Sequence, residues 1–387
     1  MSRKINAKGL SVAVVIKHFT TTGGAEKYAV EIARRILARG HSVHVFSRDI
    51  DANAAGGMHT HLIPRQAAFS SAFNLYRFAQ ASDGRIDRNQ FDVVHTHEKG
   101  ATGDVATVHT FSYIHGLERL SWLKKLNTFY LSPRGLLYYW LEKKQLLSSA
   151  VVTVSEMIRS DIQRYFPQTN PIHTITPGVD VAAFNPGRPP DRSNADSTDR
   201  PTGNRGELKV LFVGSEFRRK GLDQLILALP EKARLTVVGR GERFSHYHQL
   251  VKTAGREKQV VFEGLVDNVH DYYASADVFV LPSLREAFGM AALEAMAVGL
   301  PVVVRSTTGV ADLIDDGQNG FVFTRSQDLS SILRQLVDPV LRRRIGANAR
   351  QTAMGHTWDQ AADQYEAIYW AIVEEKRRRG KSGRRTQ

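Results

Sequence analysis

Two carboxylates eight positions apart, Glu286 and Glu294, bracket a small-residue turn, Phe288-Gly289-Met290, that opens a helix; an apolar strand, Pro301-Val302-Val303-Val304, follows. A loop carboxylate, the N–H groups of a helix start and a second carboxylate about a turn and a half along can grip a polyhydroxylated phosphate ester. The N–H groups and the helix dipole favour anionic or hydroxyl oxygens, and carboxylates accept hydrogen bonds from sugar hydroxyls. A lone Glu on a helix usually faces solvent. Here the flanking residues are nearly all apolar or small, which suits a buried helix. A buried carboxylate without a partner is costly, so both acids need ligands or bonded neighbours.

Upstream, Val213-Gly214-Ser215-Glu216-Phe217-Arg218-Arg219-Lys220-Gly221 follows a predicted strand and precedes a helix. Lys220 and one of the two arginines can contact a diphosphate, and cations there stabilise negative charge growing on a departing nucleoside diphosphate. The plain alternative is a basic loop that solvates the strand end. Val237-Val238-Gly239-Arg240-Gly241 is a glycine-rich turn after another strand, but Phe244 stands where a dinucleotide fingerprint needs its third glycine. Gly23-Gly24, in the first strand–helix turn, would let backbone approach a phosphate or a sugar, or simply make the turn tight. His95, His97 and His109 lie near strand ends. No Asp, Glu or His cluster completes a metal site around them, so no metal is expected.

The elements that must position these residues alternate between strands and helices. Residues 10–16 are a short, nearly continuous apolar run, as in a strand buried on both faces. The helix after Gly24 carries Tyr28, Ile32, Ile36 and Leu37 at helical spacing and stops near Gly40. Further strands are predicted at 43–46, 91–95, 105–108, 151–154 and 172–175, with Ser155 capping the next helix. Residues 186–207 are polar and rich in Pro, Ser and Asp, which marks a linker or flexible loop. The pattern restarts with strands at 209–213, 234–238, 259–262, 277–281 and 301–304. This predicts a parallel sheet in each half: residues 1–185 and 208–356, with a final helix and basic tail over 357–387.

The run from Glu286 to Glu294, with Gly299-Leu300-Pro301 and Asp315-Asp316-Gly317-Gln318-Asn319-Gly320 after it, resembles the Glu-x7-Glu segment of the family-4 retaining glycosyltransferases. Gly214 to Lys220-Gly221 is similar to that family's Gly-x5-Lys-Gly segment, and Gly23-Gly24-Ala25-Glu26 to its first turn. The resemblance implies the GT-B fold: two Rossmann-like α/β domains facing a central cleft, with the C-terminal helix crossing back to the first domain. It implies a nucleotide-sugar donor, here a UDP-hexose, and no required cofactor or metal. Glu294 would accept the ribose hydroxyls and Glu286 hydroxyls of the sugar. The amides of Phe288, Gly289 and Met290 would face sugar and phosphate. Gly23, Gly24 and Gly239 would line the donor site, and the backbone near Val266 would read the base. His109 matches the position that touches the donor sugar, and His95 a more structural one. Many members carry Arg directly after the first Gly of the basic loop. Ser215 stands there in this chain, so the cationic load shifts to Arg218 or Arg219 beside Lys220. The Gly-Ser variant and the basic aromatic helices look most like the lipopolysaccharide-core transferases.

Composition narrows the partners. The 387 residues carry a formal charge of +13 and no cysteine, so disulfides, thiolate metal sites and cysteine nucleophiles are excluded. The charge calls for an anionic partner: a phosphorylated substrate, an acidic membrane surface or a nucleic acid. Seven of the last twelve residues are basic, a pattern that usually marks a solvated, disordered end and otherwise a polyanion or membrane contact. Residues 111–144 mix aromatics, among them Trp122 and Trp140, with Arg134, Lys143 and Lys144. Buried core helices and a surface for a lipid-linked acceptor both fit that mixture; a single-stranded nucleic acid would fit it too, but none is expected. Lys17 and His18 end the first apolar run and no window is long enough to cross a bilayer. The expectation is a cytoplasmic enzyme, peripheral at the inner membrane. It would move a hexose to a lipid-linked glycan such as lipopolysaccharide core. A UDP-sugar 2-epimerase of the same double-Rossmann plan and a non-catalytic polyanion-binding protein are the alternatives.

Overall fold

The computed structural model describes residues 9–66, 70–118, 120–125, 132–167, 170–185, 207–242 and 244–383. The predicted linker, except Glu207, lies outside these residues, as do Arg119, Phe129, Tyr130, Arg384 and Arg385.

The chain divides into two units, Met1–Pro177 with Trp358–Gln387, and Gly178–Thr357. Strands of the first are β1 (Ser11–Val15), β2 (His18–Phe19), β3 (Ser42–Ser47), β4 (Asp49–Ile50), β5 (His59–Leu62), β6 (Val93–Thr96), β7 (Val105–Val108), β8 (Ala150–Thr153) and β9 (Ile172–Thr174). Those of the second are β10 (Leu208–Val213), β11 (Ala233–Val238), β12 (Val260–Gly264), β13 (Val278–Leu281), β14 (Val302–Arg305) and β15 (Phe321–Phe323). Helices α1 (Gly24–Ala38), α2 (Ser71–Asp83), α3 (Tyr113–Leu117), α4 (Trp122–Lys125), α5 (Pro133–Gln145) and α6 (Glu156–Tyr165) belong to the first unit. The second holds α7 (Leu222–Ala228), α8 (Phe244–Thr253), α9 (His270–Ser275), α10 (Met290–Val298), α11 (Ser326–Gln335) and α12 (Pro339–Met354); α13 (Trp358–Gly383) returns to the first.

The first unit is built on a seven-stranded sheet, β5-β3-β1-β6-β7-β8-β9, and the second on a six-stranded one, β12-β11-β10-β13-β14-β15. The described pairings in both are parallel. Parallel strands need both faces covered, and the sequence supplies this: Val12, Ala13, Val14 and Val15 of β1 and all four residues of β13 are buried. Strand order reverses between β1 and β6 and between β10 and β13. At such reversals the loops beyond the strand ends open a crevice for ligands, and Gly23, Gly24, Lys220 and Glu286 come from or border these loops.

Helix α13 presents Trp358, Ala361, Ala362, Tyr365, Tyr369, Ile372 and Val373 at helical spacing, all buried. Each of the larger apolar side chains among them, fully buried, contributes about 1.5–3 kcal/mol. The basic end is helical through Gly383, contrary to the disordered tail that composition suggested. Lys376 Nζ anchors it, donating to the Asp92 carbonyl at 2.9 Å and pairing with Asp104 at 2.8 Å. No described helix is long and apolar enough to cross a membrane.

Candidate active site

The second unit's site starts where β10 ends. Gly214 turns the chain at φ 154°, and a Cβ there would sit 2.5 Å from Lys220 Cδ and 2.7 Å from its Cε. The bare α-carbon lets the lysine side chain lie back across the turn, so the Gly-x5-Lys spacing is a packing requirement. Gly239 has a structural duty in the same place. A side chain on it would run into the Gly214 carbonyl, and its N–H donates to Gly264 O at 2.6 Å. Two bare backbones thus cross where β10 and β11 end.

Glu216 adopts φ 55°, the only positive φ among described non-glycine residues. After this bend Arg219 and Lys220 converge on one atom. Lys220 Nζ donates to Glu286 Oε2 at 2.9 Å and Arg219 Nη1 to the same oxygen at 3.0 Å. Arg219 also donates to the Arg285 carbonyl at 2.8 Å and to the Glu216 carboxylate. Ser283 Oγ lies 3.4 Å from Glu286 Oε2. Burial alone would raise the Glu286 pKa; Lys220 and then Arg219 more than offset it, and the carboxyl stays below its ordinary range. Burial likewise works against the Arg219 charge, and Glu286 and Glu216 reverse the effect, so its pKa ends raised. Arg218 is exposed, with no side-chain partner among the described residues. Of the two arginines, Arg219 is the one that shares Glu286 with Lys220. Ser215 is exposed and stands outside the cluster.

The loop after β13 holds Glu286 in place through its backbone. Leu284 N–H donates to Arg219 O at 2.9 Å, tying this loop to the one after β10. Glu286 N–H reaches Thr307 O at 3.1 Å, Gly309 N–H reaches Glu286 O at 3.0 Å, and Val310 N–H reaches Phe288 O at 2.7 Å. Phe288 is buried beneath. Gly289, at φ 106°, starts α10 at Met290 with no side-chain cap, which leaves the first N–H groups and the positive dipole end for another acceptor. Glu294, half-buried on α10, accepts from Tyr273 Oη at 3.1 Å; the same hydroxyl lies 3.1 Å from Ala291 O. Burial and then the Glu294 charge push the Tyr273 pKa well up. Glu294 therefore lies on the helix that follows the Glu286 loop but is held by a different neighbour. Val266 is half-buried in the turn after β12. Sequence reasoning missed Tyr273, Ser283 and Glu216. Only the Tyr272-Tyr273 pair offered a signal, and an aromatic pair on a helix reads as core.

In the first unit, Gly23 precedes α1 and accepts Lys27 N–H at 3.2 Å. A Cβ on Gly23 would meet the Glu26 carboxylate, whereas Gly24 has open space. His97 and His109 follow the paired strands β6 and β7, and His97 Nδ1 lies 2.9 Å from His109 Nε2. Burial lowers both pKa values, that of His109 to about 3.

Beneath them runs a hydrogen-bond chain whose polarity one carbonyl fixes. Tyr28 must donate to Ile175 O, at 2.9 Å, so its oxygen accepts from Tyr365 at 3.0 Å. Tyr365 then accepts from Thr107 Oγ1 at 2.7 Å, and Thr107 accepts from His95 Nε2 at 2.7 Å. His95 Nδ1 is left to accept from Tyr369 at 2.7 Å. His95 is thus the neutral Nε2–H tautomer, in keeping with a pKa that burial, and secondarily His109, lowers to about 3.

Elsewhere on this unit Trp122 and Trp140 are 72% and 46% exposed. Lys144 Nζ lies 5.6 Å from the Trp140 ring centroid, and Arg134 lies 5.9 Å from that of Tyr138. Phe111 is buried, so the aromatic stretch is divided between core and surface. Among the described residues no group of three or more acidic or histidine side chains is arranged to hold a metal ion.

Two parallel α/β units, each with its candidate residues at a strand-order reversal, define a GT-B architecture. WaaG, a glycosyltransferase involved in lipopolysaccharide biosynthesis, shares it with a TM-score of 0.78 at 22% identity, over 92% of this chain and 99% of its own. HepE of Anabaena, solved with UDP and glucose, gives 0.71 at 18% identity, over 94% and 99%. Residues 22–183 match the model of Glycosyltransferase Family 4, and residues 196–352 that of Glycosyl transferases group 1. The chain belongs to this family of GT-B glycosyltransferases. A D-inositol 3-phosphate glycosyltransferase of Xylanimonas cellulosilytica is 27% identical over 391 residues, spanning 90% of this chain and 91% of that one.

Proposed function

We propose that the chain is a retaining hexosyltransferase that takes glucose, or a related hexose, from a UDP-sugar without an essential metal. The observation that carries this reading is the convergence of Lys220 and Arg219 on Glu286 beside the start of α10. Lysine has three donors. One satisfies Glu286 and the others remain for a diphosphate. Arg219 and the α10 N–H groups add to the positive field that a leaving UDP needs. Glu286 orients hydroxyls of the transferred sugar, Glu294 anchors the ribose diol, and His109 contacts the sugar. Gly23, Gly24, Phe288, Gly289 and Met290 offer backbone to the donor, and the turn at Val266 borders its base. Ser215, Arg218 and Gly239 sit at the margin of this assignment.

In this mechanism the C1–O bond to phosphate breaks and the C1–O bond to the acceptor forms on the same face of the sugar. The acceptor's hydroxyl proton passes to the departing phosphate oxygen, so no enzyme nucleophile is needed. Exposed Trp122 and Trp140, next to lysine and arginine, support a lipid-linked acceptor presented at an anionic membrane surface on the cytoplasmic side.

The test has two stages. Thermal shift with UDP, GDP, ADP and NAD should show stabilisation by UDP alone. Radiolabelled UDP-glucose is then offered with isolated lipopolysaccharide core lipid, with inositol 3-phosphate, and with no acceptor. Label in the core lipid with the α-configuration of the donor supports the proposal. Label in inositol 3-phosphate replaces the acceptor. Free UDP released with no acceptor, together with an epimerised sugar, makes the chain an epimerase and ends the transferase reading.

A further inference from the structure

The His97–His109 hydrogen bond leaves each ring with one other nitrogen. Neither His97 Nε2 nor His109 Nδ1 has a hydrogen-bond partner among the described residues, and neither atom is fully enclosed. The rings stack at 19° with centroids 5.2 Å apart. Tyr28 meets the His109 ring edge-on at 5.1 Å, and His95 packs 4.2 Å from His97. Each neutral imidazole carries a single N–H, and the shared hydrogen bond uses one N–H and one lone pair. If His97 Nδ1 donates, His97 Nε2 is an outward acceptor and His109 Nδ1 an outward donor. If His109 Nε2 donates, the two outward roles exchange. Either way the pair shows one donor and one acceptor, never two of a kind. Burial keeps both rings neutral at pH 7.

We propose that His97 is a second sugar-binding residue, acting with His109 as a coupled donor–acceptor pair that engages two hydroxyls of the transferred sugar. This rests on the reading that His109 contacts that sugar. The chemistry matches a polyol, whose hydroxyls both donate and accept. It matches a phosphate poorly, because a phosphate wants two donors. His97 lies directly beyond β6, at the strand-order reversal, with its N–H on Val15 O at 2.9 Å, so the residue sits at the strand end where a ligand is expected.

The experiment uses the side-chain amides as atom-by-atom substitutes. His97→Asn retains a group at the Nδ1 position facing His109 and loses the outward one; His97→Gln retains a group near Nε2. Calorimetry on the full chain compares UDP-glucose with UDP. The pair predicts that His97→Asn weakens UDP-glucose about tenfold, the size of one lost hydrogen bond, and leaves UDP unchanged. His97→Gln should recover part of the loss. Equal binding of UDP-glucose by His97→Asn and the natural protein overturns the proposal, as does an equal loss for UDP. His109→Phe separates the two levels. If it too leaves UDP-glucose affinity relative to UDP untouched, the role of His109 itself fails. If it alone weakens UDP-glucose, only the role of His97 fails.

Discussion

The two units place polar chemistry at the same topological point by opposite means. In the second, Lys220, Arg219 and Glu286 are charged and share one carboxylate oxygen. In the first, His95, Thr107 and three tyrosines form one neutral hydrogen-bonded ladder, and the His97–His109 pair packs against it through its rings. A charged cluster can respond to charge developing on a leaving group, whereas a neutral ladder fixes tautomers and reads hydroxyls. Buried charges need partners and Glu286 has two cations. Buried neutral groups need only satisfied donors and acceptors, and the Ile175 carbonyl orders the whole ladder.

The sharpest way to break this contrast is to disturb the charged cluster without removing a charge. Gly214→Ala puts a methyl where Lys220 Cδ and Cε lie and strains the backbone at φ 154°, so the lysine is displaced and some stability is lost with it. We expect kcat to fall about 100-fold, the range seen when one stabilising donor is lost, at a temperature well below the lowered Tm. An unchanged kcat would mean that the placement of Lys220 does not matter.

Acid should separate the units. The three histidines have folded pKa values lowered from 6.5, to about 3 for His95 and His109 and well below normal for His97. The unfolded chain binds protons that the folded one refuses, so stability is lost as pH falls from about 6.5 toward 3. Glu286 is a carboxyl lowered from 4.5, so the folded state favours its charged form; its contribution persists at pH 5 and is lost only as pH falls through its lowered value. Calorimetric unfolding at pH 5, in buffers of different ionisation enthalpy, should show about three protons taken up by these histidines, with more added by His44, His61 and His356, which are also lowered. Uptake no greater than at pH 8 would contradict their burial as neutral groups.

Glu294→Gln should raise the donor KM about tenfold and largely spare kcat, since ribose contacts form in the ground state as well as the transition state. A fall in kcat at constant KM would move Glu294 from anchoring to chemistry. The smallest effect belongs to Arg218→Ala, an exposed residue outside the cluster; a kcat within about twofold of the natural protein is expected, as for most surface substitutions. Loss equal to that of Arg219→Ala would return Arg218 to the site.

The alternation of strand and helix was readable because each buried strand is a short β-branched run. Four strands escaped. β5, His-Thr-His-Leu, has three polar residues in four and is mostly exposed, β15 has three residues, and β2 and β4 have two each. Motif spacing pointed to Lys220 and Glu286, but their pairing depends on the left-handed bend at Glu216, which no residue preference announces. For the same reason Arg218 and Arg219 were indistinguishable until the loop's path was known. The ladder could not be foreseen at all: Tyr28 and Tyr365 are 337 positions apart, and hydroxyl partners leave no periodic trace.

Whether Lys220 carries the charge of the departing diphosphate is read out by single-turnover kinetics of Lys220→Ala with saturating UDP-glucose and acceptor. Glu286 keeps Arg219 as a partner in that variant, so the fold should hold. The rate should fall about 100- to 1,000-fold, with donor affinity changed far less. A single-turnover rate equal to that of the natural protein would contradict that role for Lys220.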